Sequence, residues 1–145
     1  MEAECNARIF VGGRTKGFKG KCPGILEELM IALDKEHPVF LIGAFGGVTK
    51  HVIGALQRES SEIFSTNYYY DNEHYKEVVE LYKEKGIDSL DFSNYYSKLE
   101  ETGFEGIAKL NGLTVKENLR LAVTPHINEI VFLVLKGLAI IANKR

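Results

Sequence analysis

Residues 9–28, IFVGGRTKGFKGKCPGILEE, decide the fold. Residues 7–11 form a short apolar run of the kind that makes a strand buried on both faces, and Gly12-Gly13 ends it. A long Gly- and Lys-rich loop follows. Pro23-Gly24 then opens a helix with two carboxylates, Glu27 and Glu28, in its first turns. Glycines let a backbone approach a ligand closely, and the N–H groups of a helix N-terminus attract phosphate or another anion. Gly12, Gly13 and Gly24 are therefore candidate ligand contacts, with tight-turn geometry as the alternative. Arg14, Lys16, Lys19 and Lys21 fall within eight positions that no acid interrupts. Among these cations Arg14 and Lys19 are the candidate charge partners, and the Arg14 fork suits two phosphate oxygens.

Glu28 has three readings. A carboxylate early in a helix is favoured by the helix dipole alone. It could instead hydrogen-bond ribose hydroxyls, or serve as a general acid/base if burial raised its pKa. Glu27 is read as a surface residue. Cys22 precedes the helix start, a place that lowers a thiol pKa, but without a matched base nearby it is read as a small loop residue.

Moving outward, His37-Pro38 ends the first helix, and residues 39–42, VFLI, form a second buried strand closed by Gly43. About 25 residues containing a helix separate the two strands, which makes a βαβ crossover with parallel pairing. Residues 43–47, GAFGG, are a second glycine-rich turn that leads into a helix over 48–57. Both turns thus lie at the carboxyl ends of neighbouring parallel strands, where open α/β sheets bind their ligands. Phe45, Gly46 and Gly47 join the candidate site, Phe45 as a side chain that stacks on a base or caps the core. His51 has no triad partner visible in sequence and is read as a surface or core residue.

The remainder is helical. Residues 60–71 are expected to form a loop or weak strand around Ile63-Phe64, with Tyr68, Tyr69 and Tyr70 as packing or interface. Helices are expected over 73–85, stopped by Gly86; over 91–102, capped by Asp91 or Ser93 and stopped by Gly103; and over 114–122, where Thr114 and Glu117 have capping-box spacing. Residues 106–110 are read as a short turn of helix. The last helix is expected to run to about 142 with Pro125 at its first position. It is apolar nearly all round, so it must be covered on most sides. Only two strands are convincing, which implies hidden strands, a partner chain or an upstream segment.

The chain has 145 residues, enough for one domain with a sizeable core. A net charge of −2 gives no global case for nucleic acid, and no direct nucleic-acid binding is expected. Two cysteines, Cys5 and Cys22, are too few for a disulfide framework and lack metal-ligand spacing, which favours a cytoplasmic location and no metal. The acidic start, MEAECNAR, lacks the apolar core of a signal peptide. Residues 129–141, EIVFLVLKGLAII, are too short and too interrupted by Lys136 to cross a membrane.

The order strand-Gly-Gly, Pro-Gly-x-x-Glu-Glu opening a helix, then LIGAFGG resembles the SLOG superfamily, Rossmann-like domains related to the lonely-guy phosphoribohydrolases. In those enzymes a Pro-Gly-Gly-x-Gly-Thr-x-x-Glu motif holds the nucleotide phosphate. Gly12-Gly13, Gly24 and Glu28 match its glycines and glutamate, whereas Val11 stands at its proline, Ile25 at its threonine, and the intervening loop is longer. The longer loop, PVFLIGAFGG and residues 111–138 look more like the sensor branch, found beside TIR or other effector domains in bacterial anti-phage systems. The resemblance implies an α/β fold: a Rossmann-like parallel sheet of few strands flanked by helices, with a helix-rich C-terminal half. It implies one domain over 1–145, either whole or the C-terminal part of a larger one, since strands usually precede the Gly-Gly strand in this family. The implied function is binding of a cyclic nucleotide, NAD or ADP-ribose-type signal by a homo-oligomer. The alternative is an N-glycosidic hydrolase with Glu28 catalytic.

Overall fold

A computed structural model describes residues 7–88 and 90–144; Cys5 and most of the acidic start lie outside the described residues. Strand β1 (Arg8–Val11) and strand β2 (Val39–Ile42) pair in parallel, Arg8 opposite Val39 and Val11 opposite Ile42, with helix α1 (Gly24–Asp34) between them. Helix α2 (Gly47–Leu56), a 3-10 turn (Glu62–Phe64), and helices α3 (Thr66–Tyr69), α4 (Glu73–Glu84), α5 (Phe92–Asn111), α6 (Val115–Val123) and α7 (Ile127–Asn143) complete the order. The architecture is the expected mixed α/β one, about two strands deep and helix-rich toward the C-terminus.

Alternation along the strands sorts the core into two layers. Phe10, Val39 and Leu41 join Leu26, Leu29, Val48, Val52, Leu99 and Ile107 on the face covered by α1, α2 and α5. Phe40 and Ile42 point the other way, into Leu121 of α6 and Ile130, Leu133 and Val134 of α7. Gly137 lets α7 come this close, because a Cβ there would lie 2.5 Å from the Phe40 ring. By register Ile9 and Val11 share the α7 face, and they are 54% and 47% exposed.

The expected weak strand around Ile63-Phe64 is a 3-10 turn, and among the described residues the sheet has two strands. The reason is visible at the outer edge of β2. There Asn111 donates from Nδ2 to the Val39 carbonyl (2.8 Å), and Gly43 N–H donates to the Ala122 carbonyl (3.1 Å). Side chain and helix end occupy the positions where a third strand would bond.

Two boundaries move. The helix expected to stop at Gly103 and the short turn after it form one element, α5, whose backbone breaks at Gly103 (φ 54°, ψ −178°) before resuming helix. Pro125 does not open α7. His126 is the N-cap, because Thr124 both accepts from His126 N–H and donates to the Glu129 carboxylate, which places the first turn two residues later. The Asp91 cap and the Thr114/Glu117 capping box form as read.

Helices α6 and α7 are joined by two ion pairs. Arg120 grips Glu129 in a two-pronged contact (2.6 and 2.9 Å), and Lys136 reaches Glu117. The Lys136 ammonium, followed by the capping bonds from Thr114, holds the Glu117 carboxyl down to about 2. Arg120 and then Thr124 do the same for Glu129, also to about 2. Both folded values lie below the ordinary 4.5, so their stabilisation is complete above that pH and is lost as pH falls toward 2. Thermal melts at pH 6 and pH 3 should therefore differ more for the wild-type chain than for Glu117→Gln.

Candidate functional site

The two glycine turns meet at the carboxyl ends of β1 and β2. Gly12 (φ 65°) and Gly13 (φ 99°) adopt left-handed backbone that disfavours a side chain. Gly13 is wedged between both helix starts: a Cβ on it would lie 3.0 Å from Ile25 of α1 and 3.2 Å from Val48 of α2. Gly47 presses still closer, since its Cβ would sit 2.4 Å from the Gly13 oxygen and 2.6 Å from the Gly12 carbonyl carbon.

The polar groups of the two helix starts are used differently. Val48 N–H donates to the Gly13 carbonyl (3.1 Å), and Thr49 donates to the Gly12 carbonyl from both its N–H (2.9 Å) and its hydroxyl (3.0 Å). The first glycine turn thus caps α2. Helix α1 has no side-chain cap, and Gly24 at its start is exposed. Its first-turn N–H groups are the ones left for an anion.

The basic loop is anchored from below. Phe18 packs edge-on against Tyr69 and Tyr75, at centroid distances of 5.4 and 6.0 Å, and Tyr69 stacks on Phe92 at 4.7 Å. Tyr69 donates its hydroxyl to the Ile63 carbonyl, so the tyrosine run is packing, as read from sequence. Lys16 lies 4.3 Å over the Tyr68 ring. Arg14 and Lys19 are exposed, and among the described residues neither forms an ion pair. Phe45 stands 54% exposed at the tip of the second turn.

Glu28 is half-exposed and accepts a hydrogen bond from Arg8 (3.2 Å), the residue that opens β1 at the end opposite Gly12. Cys22, read from sequence as a small loop residue, is buried in the core, where burial pushes its thiol up to about 12.

Sequence reasoning missed a pair next to the second turn. Beyond Gly43 and Ala44 a cleft of about 670 Å³ opens between α2 and the end of α6. Inside it the Ser61 hydroxyl lies 2.8 Å from His51 Nδ1, which fixes the imidazole so that Nε2 is the free ring nitrogen. No local signal links residues ten apart across a helix end and a loop. Thr49 was missed because its role, capping through Gly12, exists only once the two turns are adjacent. Among the described residues no cluster of side chains suits a metal ion, and no helix is long and apolar enough to cross a membrane.

Comparison with known proteins gives no match among curated proteins or among solved structures. A family model described as SLOG cluster2 matches residues 1–121, which takes in both strands, both glycine turns and the helices through most of α6. That span covers most of the chain, and its Gly-Gly strand and second glycine turn are the elements brought together above. The chain belongs to the SLOG superfamily, in the SLOG cluster2 family.

Proposed function

We propose that this chain binds a nucleotide-derived ligand and has no catalytic activity of its own. The observation that carries the reading is the uncapped start of α1 beside Gly13, with Arg14 and Lys19 exposed on the adjoining loop. A phosphate there would receive N–H groups at Gly24 and the positive end of the helix, and Arg14 and Lys19 would neutralise its charge. Gly46 and Gly47 form the other wall of the crevice, and Phe45 offers an aromatic face on its rim. Ligands of this class include cyclic nucleotides, NAD and ADP-ribose derivatives. SLOG membership supports a signal-sensing role in a bacterial defence system, with the cytoplasm as its location and a TIR or other effector as the partner informed of occupancy.

Isothermal titration against a panel of these compounds tests the proposal. Binding is expected for at least one of them, and Arg14→Ala or Lys19→Ala should weaken it by about ten-fold or more, the worth of one charge-assisted hydrogen bond. Glu28→Gln should leave the affinity unchanged, since Glu28 is engaged with Arg8. A folded chain that binds none of the panel would sink the reading. Incubation with AMP separates it from N-glycosidic hydrolysis: adenine release that disappears in Glu28→Gln would make the chain an enzyme.

A further inference from the structure

Helix α7 buries one face and leaves a second apolar face uncovered. Ile130, Leu133, Val134 and Gly137 pack inward, whereas Ile127, Val131, Phe132, Leu135 and Leu138 are 60%, 49%, 63%, 60% and 37% exposed. The only charged residues of the helix, Glu129 and Lys136, are both drawn onto α6 by Arg120 and Glu117. The flank that carries Ile127, Val131, Leu135 and Leu138 therefore has no charge. The remaining exposed residues of the helix, Asn128, Ala139, Ala142 and Asn143, are neutral, and all of α7 lies beyond the family match that ends at residue 121.

We infer that this face is the seam of a homodimer in which α7 packs antiparallel against α7 of a second copy. Ile127, Val131, Leu135 and Leu138 recur at steps of four, four and three, which aligns them along one flank of the helix. The stripe is symmetric about its middle. A two-fold axis there sets Ile127 against the partner's Leu138 and Val131 against the partner's Leu135, so one surface complements itself. The same flank continues onto Ile9 and Val11, which share the α7 side of the sheet. Scaled by their exposure, these side chains present on the order of 700 Å² of apolar surface, close to the ~800 Å² each partner gives a standard interface and above the usual monomer patch. A membrane surface fits poorly, because a helix lying on lipid carries several Lys or Arg along its polar border, whereas α7 has one, Lys136, and it is held by Glu117 of α6.

Sedimentation velocity on the full chain, over a concentration series reaching the high micromolar range, tests the seam. A dimer is expected for the wild type and for Leu81→Glu, a control at an exposed apolar site on α4. Leu135→Glu and Phe132→Glu should weaken association at least a hundred-fold, with circular dichroism unchanged because both side chains already face solvent. In mixtures, a chain carrying Leu138→Cys should cross-link to one carrying Ile127→Cys. A wild type that stays monomeric throughout, a dimer that survives both glutamates, or Leu138→Cys chains that cross-link only to each other would overturn the inference.

Discussion

Gly47→Ala is expected to destabilise the chain by about 2–4 kcal/mol and to abolish ligand binding at the crevice. Two effects add. The backbone at Gly47 has φ 66°, where a side chain is strained, and the new methyl would overlap the Gly12–Gly13 peptide at 2.4–2.8 Å. The colliding atoms are main chain at the end of a paired strand, so neither side can swing away. Moving them apart also breaks the bonds from Val48 and Thr49 to the two glycine carbonyls. Gly12→Ala separates the two effects, because Gly12 has a similar φ of 65° but open space around its missing Cβ. It should cost only the conformational strain, about 1–2 kcal/mol. Urea unfolding of the two variants decides the matter: equal losses would mean that the turns do not support one another.

That contrast marks how much of the site was legible in the sequence. The two turns, their places at the ends of parallel strands, and the helix behind each follow from apolar runs interrupted by glycine. Which helix start stays open does not follow from sequence. The spacing of Pro23-Gly24 suggested a cradle formed within the first segment. In the structure Gly12 and Gly13 spend their carbonyls on α2, and α1 is the helix left uncapped. Glu28 shows the same limit. Its place in a helix can be read, but its direction depends on Arg8, 20 residues earlier on the strand that α1 packs against. Cys22 reads as a small loop residue, and its place in the core is set by tertiary packing that its position in the chain does not show. The His51–Ser61 pair has no sequence signature, since the loop that joins its members is set by tertiary contacts.

The fold was legible wherever local chemistry decides it. The Asp91 cap and the Thr114/Glu117 box start their helices within a residue of the reading. The strand count was read correctly, but what meets the outer edge of β2 was not foreseen. A search for further strands assumes that a buried strand edge must be met by another strand, whereas side-chain amides and helix ends can meet it equally well. Asn111-Gly112, which reads as a turn, is where this happens.

Asn111→Ala is accordingly the second large prediction, a loss of about 3 kcal/mol and a melting temperature lower by about 10 °C. Asn111 is fully buried at the end of α5 and makes bonds in three directions. Its amide nitrogen donates to the Val39 carbonyl (2.8 Å) and to Asn118 Oδ1 (2.7 Å), and its oxygen accepts from Leu113 N–H (3.0 Å). Truncation leaves a strand carbonyl and a backbone N–H buried without partners, and Asn118 loses both a donor and an acceptor. Replacing both asparagines with leucine should not restore stability, because the Val39 and Leu113 groups stay unmet whatever fills the space. Asn118 also donates to the Thr114 carbonyl (3.1 Å), so Asn118→Ala alone should loosen the start of α6 with a smaller effect on β2. A double-mutant cycle should give a coupling of about 0.5–3 kcal/mol between the two positions. Additive losses would mean that the two asparagines act independently, Asn111 on the edge of β2 and Asn118 on the start of α6.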